Sequence, residues 1–319
     1  MYEKGLVSII IPTYKRCTML SRAIRSVVNQ TYKNIEILVV DDNEPGDEFS
    51  IAVKRLINKL GYSQVKLVTQ PKHINGAVAR NAGIRAAKGE YICFLDDDDL
   101  YLPNKIERQI EYLKLQDSSV GGVSCLKIFF KNDKLTHISE IWVPSKTQSL
   151  DVMSKNLNIQ TGTVLLRRMC LDKAGYFDPN LRRHQEVQLM SYFTDKYRID
   201  LIDDILIIID ESDLMNRPSY NKIKVFKEDF FKSITPLLSK YSKADRRFVI
   251  KNHKTELAWI MYRDINKFKG IMLLLSCFTN LRVLKSFITR YLGKKKDYQR
   301  IREYDNKEYI QYLINSYNE

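Results

Sequence analysis

Apolar and polar positions alternate along the first hundred residues in two rhythms. Short runs rich in Val, Ile and Leu, at Leu6 to Ile11, Ile35 to Val40, Val65 to Thr69 and Tyr91 to Leu95, have the length and β-branched character of strands. Between them, Met19 to Asn29, Phe49 to Leu60 and Ala77 to Ala87 have helical patterns. Strands this apolar are covered on both faces, and strands alternating with helices form a mostly parallel sheet. The expected fold class is α/β, a Rossmann-like sheet flanked by helices, followed by a mostly helical C-terminal region. There, Phe226 to Tyr241, Ala244 to Tyr262 and Lys267 to Leu292 read as helices. In the last of these, Leu274, Cys277, Phe278, Leu281, Leu284, Ile288, Tyr291 and Leu292 fall on one stripe at helical spacing.

Charge divides the chain more sharply than hydropathy does. The net charge of +14 is almost wholly C-terminal: Met1 to Leu214 carries 29 Lys and Arg against 28 Asp and Glu, whereas Met215 to Glu319 carries 23 against 10. Arg217-Pro218-Ser219-Tyr220 is the expected junction, dividing an N-terminal domain, residues 1–214, from a basic helical region, residues 215–319. A length of 319 residues with 44% hydrophobic and 28% charged residues excludes a disordered chain. Five scattered cysteines and four dispersed histidines offer no zinc spacing and point to a reducing compartment. Leu6 to Ile11 is too short for the apolar core of a secretory signal, and no run of roughly twenty apolar residues would span a membrane. A cytoplasmic protein is expected, one that can still lie peripherally at the inner face of a membrane.

Two acidic clusters carry the candidate chemistry. Asp41-Asp42 and Asp96-Asp97-Asp98-Asp99 each close a strand, so both fall at the carboxyl edge of the sheet, where open α/β sheets bind ligands. Crowded carboxylates repel unless a cation or protons offset them, and Mn²⁺ or Mg²⁺ prefers such oxygen ligands. The bland alternative is a solvated acidic turn leading into the next helix. Neither Gly-x-Gly-x-x-Gly nor Gly-x-x-x-x-Gly-Lys is present, which disfavours dehydrogenases and P-loop enzymes. What remains is Tyr14 to stack on a base, Arg16 and Arg80 to contact phosphate, and Asp42 to accept from a uracil imide N–H. That set suits a nucleoside-diphosphate sugar.

Val7 to Arg16 (VSIIIPTYKR), Ile35 to Asp42 (IEILVVDD), Gly76 to Gly83 (GAVARNAG), Gly89 to Pro103 (GEYICFLDDDDLYLP) and Gly175 to Pro179 (GYFDP) together resemble the family 2 glycosyltransferases of the GT-A fold. The resemblance covers most of residues 5 to about 212. It implies an inverting, metal-dependent transferase using a UDP-sugar, with Pro12, Thr13, Tyr14 and Arg16 lining the nucleoside pocket and Asp42 reading the uracil. Arg80 would then lie by the nucleotide, Asp96 near the ribose or sugar with Asp97 beside it, and Asp98 on the metal. Asp99 would cap the helix that begins near Leu102. Inversion needs a base across the sugar from the metal. Glu186 aligns with that base, although the family more often has Asp, and Asp178 reads as a turn residue instead. Thr161 and Gly162, in a strand expected over Ile159 to Arg167, would shape the sugar and acceptor cleft. His184 would orient an acceptor or contact phosphate, its bland alternative being an exposed side chain.

Two departures from the family pattern change the expectation. Asn43-Glu44-Pro45-Gly46 stands where Gly-Ser commonly follows the aspartate pair, so the turn there should differ. The Gln-x-x-Arg-Trp motif of processive synthases is missing, which implies one sugar added per encounter. The expected acceptor is a glycan, a lipid-linked oligosaccharide or a glycoprotein, of the kind bacterial surface-glycan assembly uses. The basic helices would pack on the catalytic part or in a homo-oligomer, or dock on an anionic membrane surface; no nucleic-acid motif accompanies their charge. A nucleotidyltransferase and a non-catalytic scaffold are the competing classes.

Overall fold

The computed structural model describes residues 2–131, 134–211, 218–292 and 298–315. Strand β1 (Glu3–Thr13), helix α1 (Cys17–Val28), β2 (Ile35–Asp41), α2 (Glu48–Leu60), β3 (Val65–Thr69), α3 (Gly76–Ala86) and β4 (Gly89–Phe94) follow in the predicted order. They are succeeded by β5 (Leu100–Tyr101), α4 (Lys105–Lys114), β6 (Val120–Lys131), β7 (Lys134–Ile138), α5 (Gln148–Met153), β8 (Leu165–Arg167), α6 (Arg168–Ala174), α7 (Gln185–Lys196) and β9 (Arg198–Asp210). The basic region contributes α8 (Tyr220–Leu238), α9 (Lys243–Asp264), α10 (Lys267–Cys277), α11 (Leu281–Leu292), α12 (Tyr298–Asp305) and α13 (Glu308–Asn315).

One sheet runs through residues 3–210 in the order β3-β2-β1-β4-β8-β6-β9-β5, with β7 on β6. The β3-β2-β1-β4 half is entirely parallel, as the strand–helix alternation requires. The other half is mixed, because β8 runs antiparallel to both β4 and β6, and β5 runs antiparallel to β9. Strand β1 serves both faces: Val7, Ile9 and Ile11 pack with Leu20, Ile24 and Val27 of α1 on one side, and Ile10 packs with Ala79 and Ile84 of α3 on the other. Gly83 permits that second contact, since a Cβ there would lie 2.4 Å from Ile10 Cγ2.

Three expectations change. The predicted strand Ile159 to Arg167 is a strand only over β8, because Thr161–Thr163 turn as a 3₁₀ helix and Thr163 donates both its N–H (3.0 Å) and its Oγ1 (2.7 Å) to the Gln160 carbonyl. The helix predicted over Lys267 to Leu292 is two helices, broken where the Asn280 Oδ1 accepts from the Arg282 N–H at 2.8 Å. The break rotates the second half, so Cys277 and Val283 are buried while Leu281, predicted on the same stripe as Cys277, is 80% exposed. Asp99 caps no helix; its carboxylate accepts from the Asp210 N–H at 3.0 Å and pins the end of β9.

The basic helices close on the N-terminal part at two places. Phe230, Ile234 and Leu237 of α8 pack with Leu150 and Met153 of α5, and Ile301, Ile310 and Leu313 of α12 and α13 pack with Leu100, Leu126 and Ile128 of the sheet. Leu214 and Arg217, at the predicted junction, and the lysine run 294–296 lie outside the described residues. Among the described residues, no helix is long and apolar enough to cross a membrane.

Candidate functional site

Parallel pairing of β1 with β2 and β4 brings Thr13, Asp42 and the Asp96–Asp99 turn to one sheet edge. Asp42 is held there by its N–H, which donates to the Thr13 carbonyl at 3.0 Å. Its carboxylate is buried: Oδ2 meets His73 Nδ1 at 2.9 Å, and Oδ1 has no hydrogen-bond partner among the described residues. Burial pushes this carboxyl above its ordinary pKa, with His73 opposing the shift. Tyr14, half exposed at the same edge, stacks on His73 with ring centroids 3.8 Å apart, and the Lys15 ammonium lies 5.1 Å from the Tyr14 ring. The departure at Asn43 has its own geometry. Asn43 Nδ2 donates to Asp41 at 2.7 Å and Oδ1 accepts from the Lys15 N–H at 2.9 Å, which ties the two loops together.

The acidic turn after β4 is graded from core to cleft. Asp97 is buried and accepts from Thr13 Oγ1 at 2.7 Å; burial and then the Asp98 charge push its carboxyl up to about 7. Asp98 is ion-paired with Arg16, which lies 3.8 Å from Asp97 as well. Its backbone carbonyl accepts from Arg22 at 2.9 Å. Burial and Asp96 push the Asp98 pKa up against the pull of Arg16. Asp96, more open, binds Arg80 Nη2 at 2.5 Å.

Arg80 links this edge to the start of α7. Its guanidinium is buried, lies 5.8 Å from the Phe177 ring, and is 3.4 Å from Gln185 Oε1. Burial opposes its charge, yet Asp96 and Glu186 outweigh burial and hold its pKa above the ordinary value. Gln185 and Glu186 open α7, and both line a cavity of about 350 Å³ with His184, Lys155, Arg182, Arg183 and Glu256. His184 caps that helix with φ 61°, and Lys155 has φ 60°, conformations that cost about 1–2 kcal/mol for side chains other than glycine. The exposed alternative for His184 does not hold: it packs edge-on against Phe230 and His253 at 5.4 and 5.9 Å, and burial, then Lys155 and Lys227, drive its pKa down to about 3.

A model of the glycosyl transferase family 2 matches residues 8–175. The chain belongs to this family. An uncharacterised glycosyltransferase of Rickettsia typhi is 32% identical over 208 residues, 63% of each chain. The Escherichia coli protein named UDP-Glc:alpha-D-GlcNAc-diphosphoundecaprenol beta-1,3-glucosyltransferase WfaP is 33% identical over 168 residues, 51% of this chain and 61% of that one. The chain thus spans less than two thirds of the length of these relatives. Among solved structures, S. aureus TarS 1-349 in complex with UDP superposes with a TM-score of 0.52 at 14% identity, covering 88% of this chain and 90% of that chain. The mannosyltransferase PcManGT from Pyrobaculum calidifontis, in complex with GDP-Man and Mn²⁺, gives 0.55 at 16% identity over 98% and 85%. At those identities the likeness establishes the fold, and the GT-A architecture expected from the sequence is the one observed.

In this family member the remaining candidates occupy distinct positions. Pro12 pairs in register with Val40 just before the edge. Thr161 and Gly162 are buried behind it, where a Cβ on Gly162 would come 2.9 Å from Ile207. Asp178 is a turn residue: Oδ1 accepts from the Asn180 N–H at 2.9 Å and Oδ2 from Ser233 Oγ at 2.6 Å. As a cation site, Asp96 and Asp98 offer hard oxygen donors, and no cluster of three His, Cys, Asp or Glu ligands stands among the described residues. Two carboxylates fit a Mg²⁺-type ion that takes its other ligands from phosphates and water. Sequence reasoning missed His73, Gln185, Lys227 and Glu256. His73 was within reach, because it follows β3 and so arrives at the same edge.

Proposed function

We propose that the chain transfers one sugar, with inversion, from a UDP-sugar to a hydroxyl of a phosphate-bearing, lipid-linked glycan. The observation that carries this reading is Arg80, whose buried guanidinium binds Asp96 on the donor edge at 2.5 Å and lies 3.4 Å from Gln185, the residue before Glu186. Donor and acceptor groups would then lie on either side of one buried guanidinium.

Asp42 Oδ1, a buried acceptor with no well-aligned partner among the described residues, supports reading of a uracil imide N–H, with the Tyr14 and His73 rings forming the adjacent wall. Asp98, with Asp96, would hold Mn²⁺ or Mg²⁺, which when bound offsets the charge of the departing diphosphate. Arg16 and Arg80 orient the same anion. In the transfer itself the acceptor oxygen bonds to the anomeric carbon as the bond from that carbon to the diphosphate oxygen breaks. Glu186 takes the acceptor's hydroxyl proton, and UDP leaves with the bonding pair. Arg182 and Arg183 line this cavity beside the Lys155–Glu256 ion pair and favour an acceptor carrying phosphate near its reacting sugar. The diphosphate-linked acceptor in the name of the E. coli relative has that chemistry.

The test is UDP release from a panel of UDP-sugars with Mn²⁺, Mg²⁺ or chelator, using acceptors with and without a phosphate-linked lipid. Release that needs metal and acceptor is expected. Glu186→Gln should lower kcat by about 10²–10⁴-fold while donor binding persists. Pyrophosphate release from a nucleoside triphosphate would replace this reading with nucleotidyl transfer, and full activity of Glu186→Gln would move the base elsewhere.

A further inference from the structure

We propose that the outward face of α10 and α11 is a docking surface for an anionic lipid bilayer. Ile265, Phe268, Ile271, Met272 and Leu275 are all exposed, Phe268 to 70%. From residue 268 to 275 they recur at the three- and four-residue spacing of one helical face. Leu281 and Ile288 of α11 are exposed as well. Apolar surface gathered on one helical face marks an interaction site, unlike singly scattered residues.

The opposite side of α10 is fixed by packing. A Cβ on Gly270 would fall 2.5 Å from the Tyr262 backbone of α9, so the two helices touch there. Cys277 and Val283 form a small core with Phe248 of α9. With its inner face committed, α10 cannot turn its apolar residues inward, and the described residues leave the outer face uncovered.

Charge selects the occupant. Residues 265–296 contain eight Lys and Arg and not one Asp or Glu. Lys267 and Lys269 stand about 100° to either side of Phe268 on the helix, so cations border the apolar face on both sides. A second copy of this chain meeting the same face would set like charges against each other. Nucleic acid would match the charge and leave the aliphatic side chains unused. A bilayer with anionic headgroups satisfies both features, with apolar side chains at the acyl boundary and lysines among the phosphates. Neither helix is long enough to cross, so the contact lies in the plane of the interface. The proposal stands apart from the transfer reading, since vesicle binding needs neither donor nor acceptor.

Flotation of the full chain with neutral vesicles and with vesicles containing about 30 mol% anionic lipid tests it. Binding is expected only to the anionic vesicles and should weaken in roughly 0.5 M salt. Phe268→Ser with Leu275→Ser should reduce partitioning at least about tenfold, and Lys267→Glu with Lys269→Glu should remove the preference for anionic lipid. Each variant is checked for an unchanged thermal melt. Absence of binding by the folded wild-type chain, or binding unaffected by both variant pairs, overturns the proposal. A stable wild-type dimer that Phe268→Ser dissociates also overturns it, because a second copy would then cover the face.

Discussion

Asp42 concentrates the donor-side argument in one atom. Its Oδ1 has no well-aligned partner among the described residues while Oδ2 is engaged by His73, and burial raises its pKa, so the native fold bears a desolvation cost that a donor N–H would relieve. Asp42→Asn should therefore weaken UDP binding by about tenfold to a hundredfold in calorimetry, yet leave the ligand-free melting temperature equal or higher, because a buried charge is removed. Unchanged UDP affinity would sink the uracil assignment. Asp42, Arg80 and Asp98 were legible in the sequence because each sits in a short motif whose position relative to a strand end sets its place. Gln185 and Glu256 were not, because their roles arise from contacts across the fold. Arg80 and Gln185 are 105 positions apart, and Lys155 and Glu256 are 101 apart.

Elements in the first hundred residues were readable because each strand's apolar run and each helix's spacing belong to the local chain, and parallel pairing then follows from the alternation. Gly83 tests how tightly that layer is built. Gly83→Ala gains helix propensity on α3, yet its methyl would meet Ile10 Cγ2 at 2.4 Å and Val40 Cγ2 at 3.1 Å, both core atoms of the sheet. Overpacking should win, destabilising the protein by about 1–3 kcal/mol in urea titration, and a neutral or stabilised variant would contradict the close approach. The mixed half of the sheet was less legible. Strand β8 has three residues, too few for a periodic signal, and its antiparallel place between β4 and β6 is a tertiary choice. Periodicity also failed at Asn280, because a side-chain cap interrupts a helix without interrupting its apolar spacing.

At the scale of the whole molecule, the basic region is fastened to the catalytic part through a buried polar knot that makes stability depend on pH. Glu256 of α9 accepts from Lys155, which follows α5, and from Lys227 of α8, each at 2.8 Å. His253 Nδ1 lies 3.0 Å from the Lys227 ammonium and Nε2 lies 2.8 Å from the Met153 carbonyl. An ammonium only donates and a carbonyl only accepts, so His253 is neutral with its proton on Nε2. Protonating Nδ1 would break the Lys227 bond and set two cations together. Burial, then Lys227 and Lys155, accordingly hold its pKa well below the ordinary histidine value, and His184 beside it is pushed down to about 3 by burial, Lys155 and Lys227; Glu256 opposes both shifts. Both folded-state values are depressed, so the native protein binds fewer protons than the unfolded chain between pH 6.5 and about 3. Stability is therefore retained above pH 6.5 and lost as pH falls below it, by up to about 1.4 kcal/mol per pH unit for each histidine. Glu256, held well below the usual carboxylate range by the two lysines in spite of its burial, adds its own loss only below its unfolded value of 4.5, so it does not contribute between pH 7 and 5.5. The urea midpoint should already drop between pH 7 and 5.5. His184→Asn, which tolerates the left-handed cap, and His253→Gln should lower the midpoint at pH 7.5 yet flatten its dependence on pH. A wild-type midpoint that stays level from pH 7 to 5.5 would mean that the knot admits water, and that the basic helices ride on the catalytic part more loosely than their packing implies.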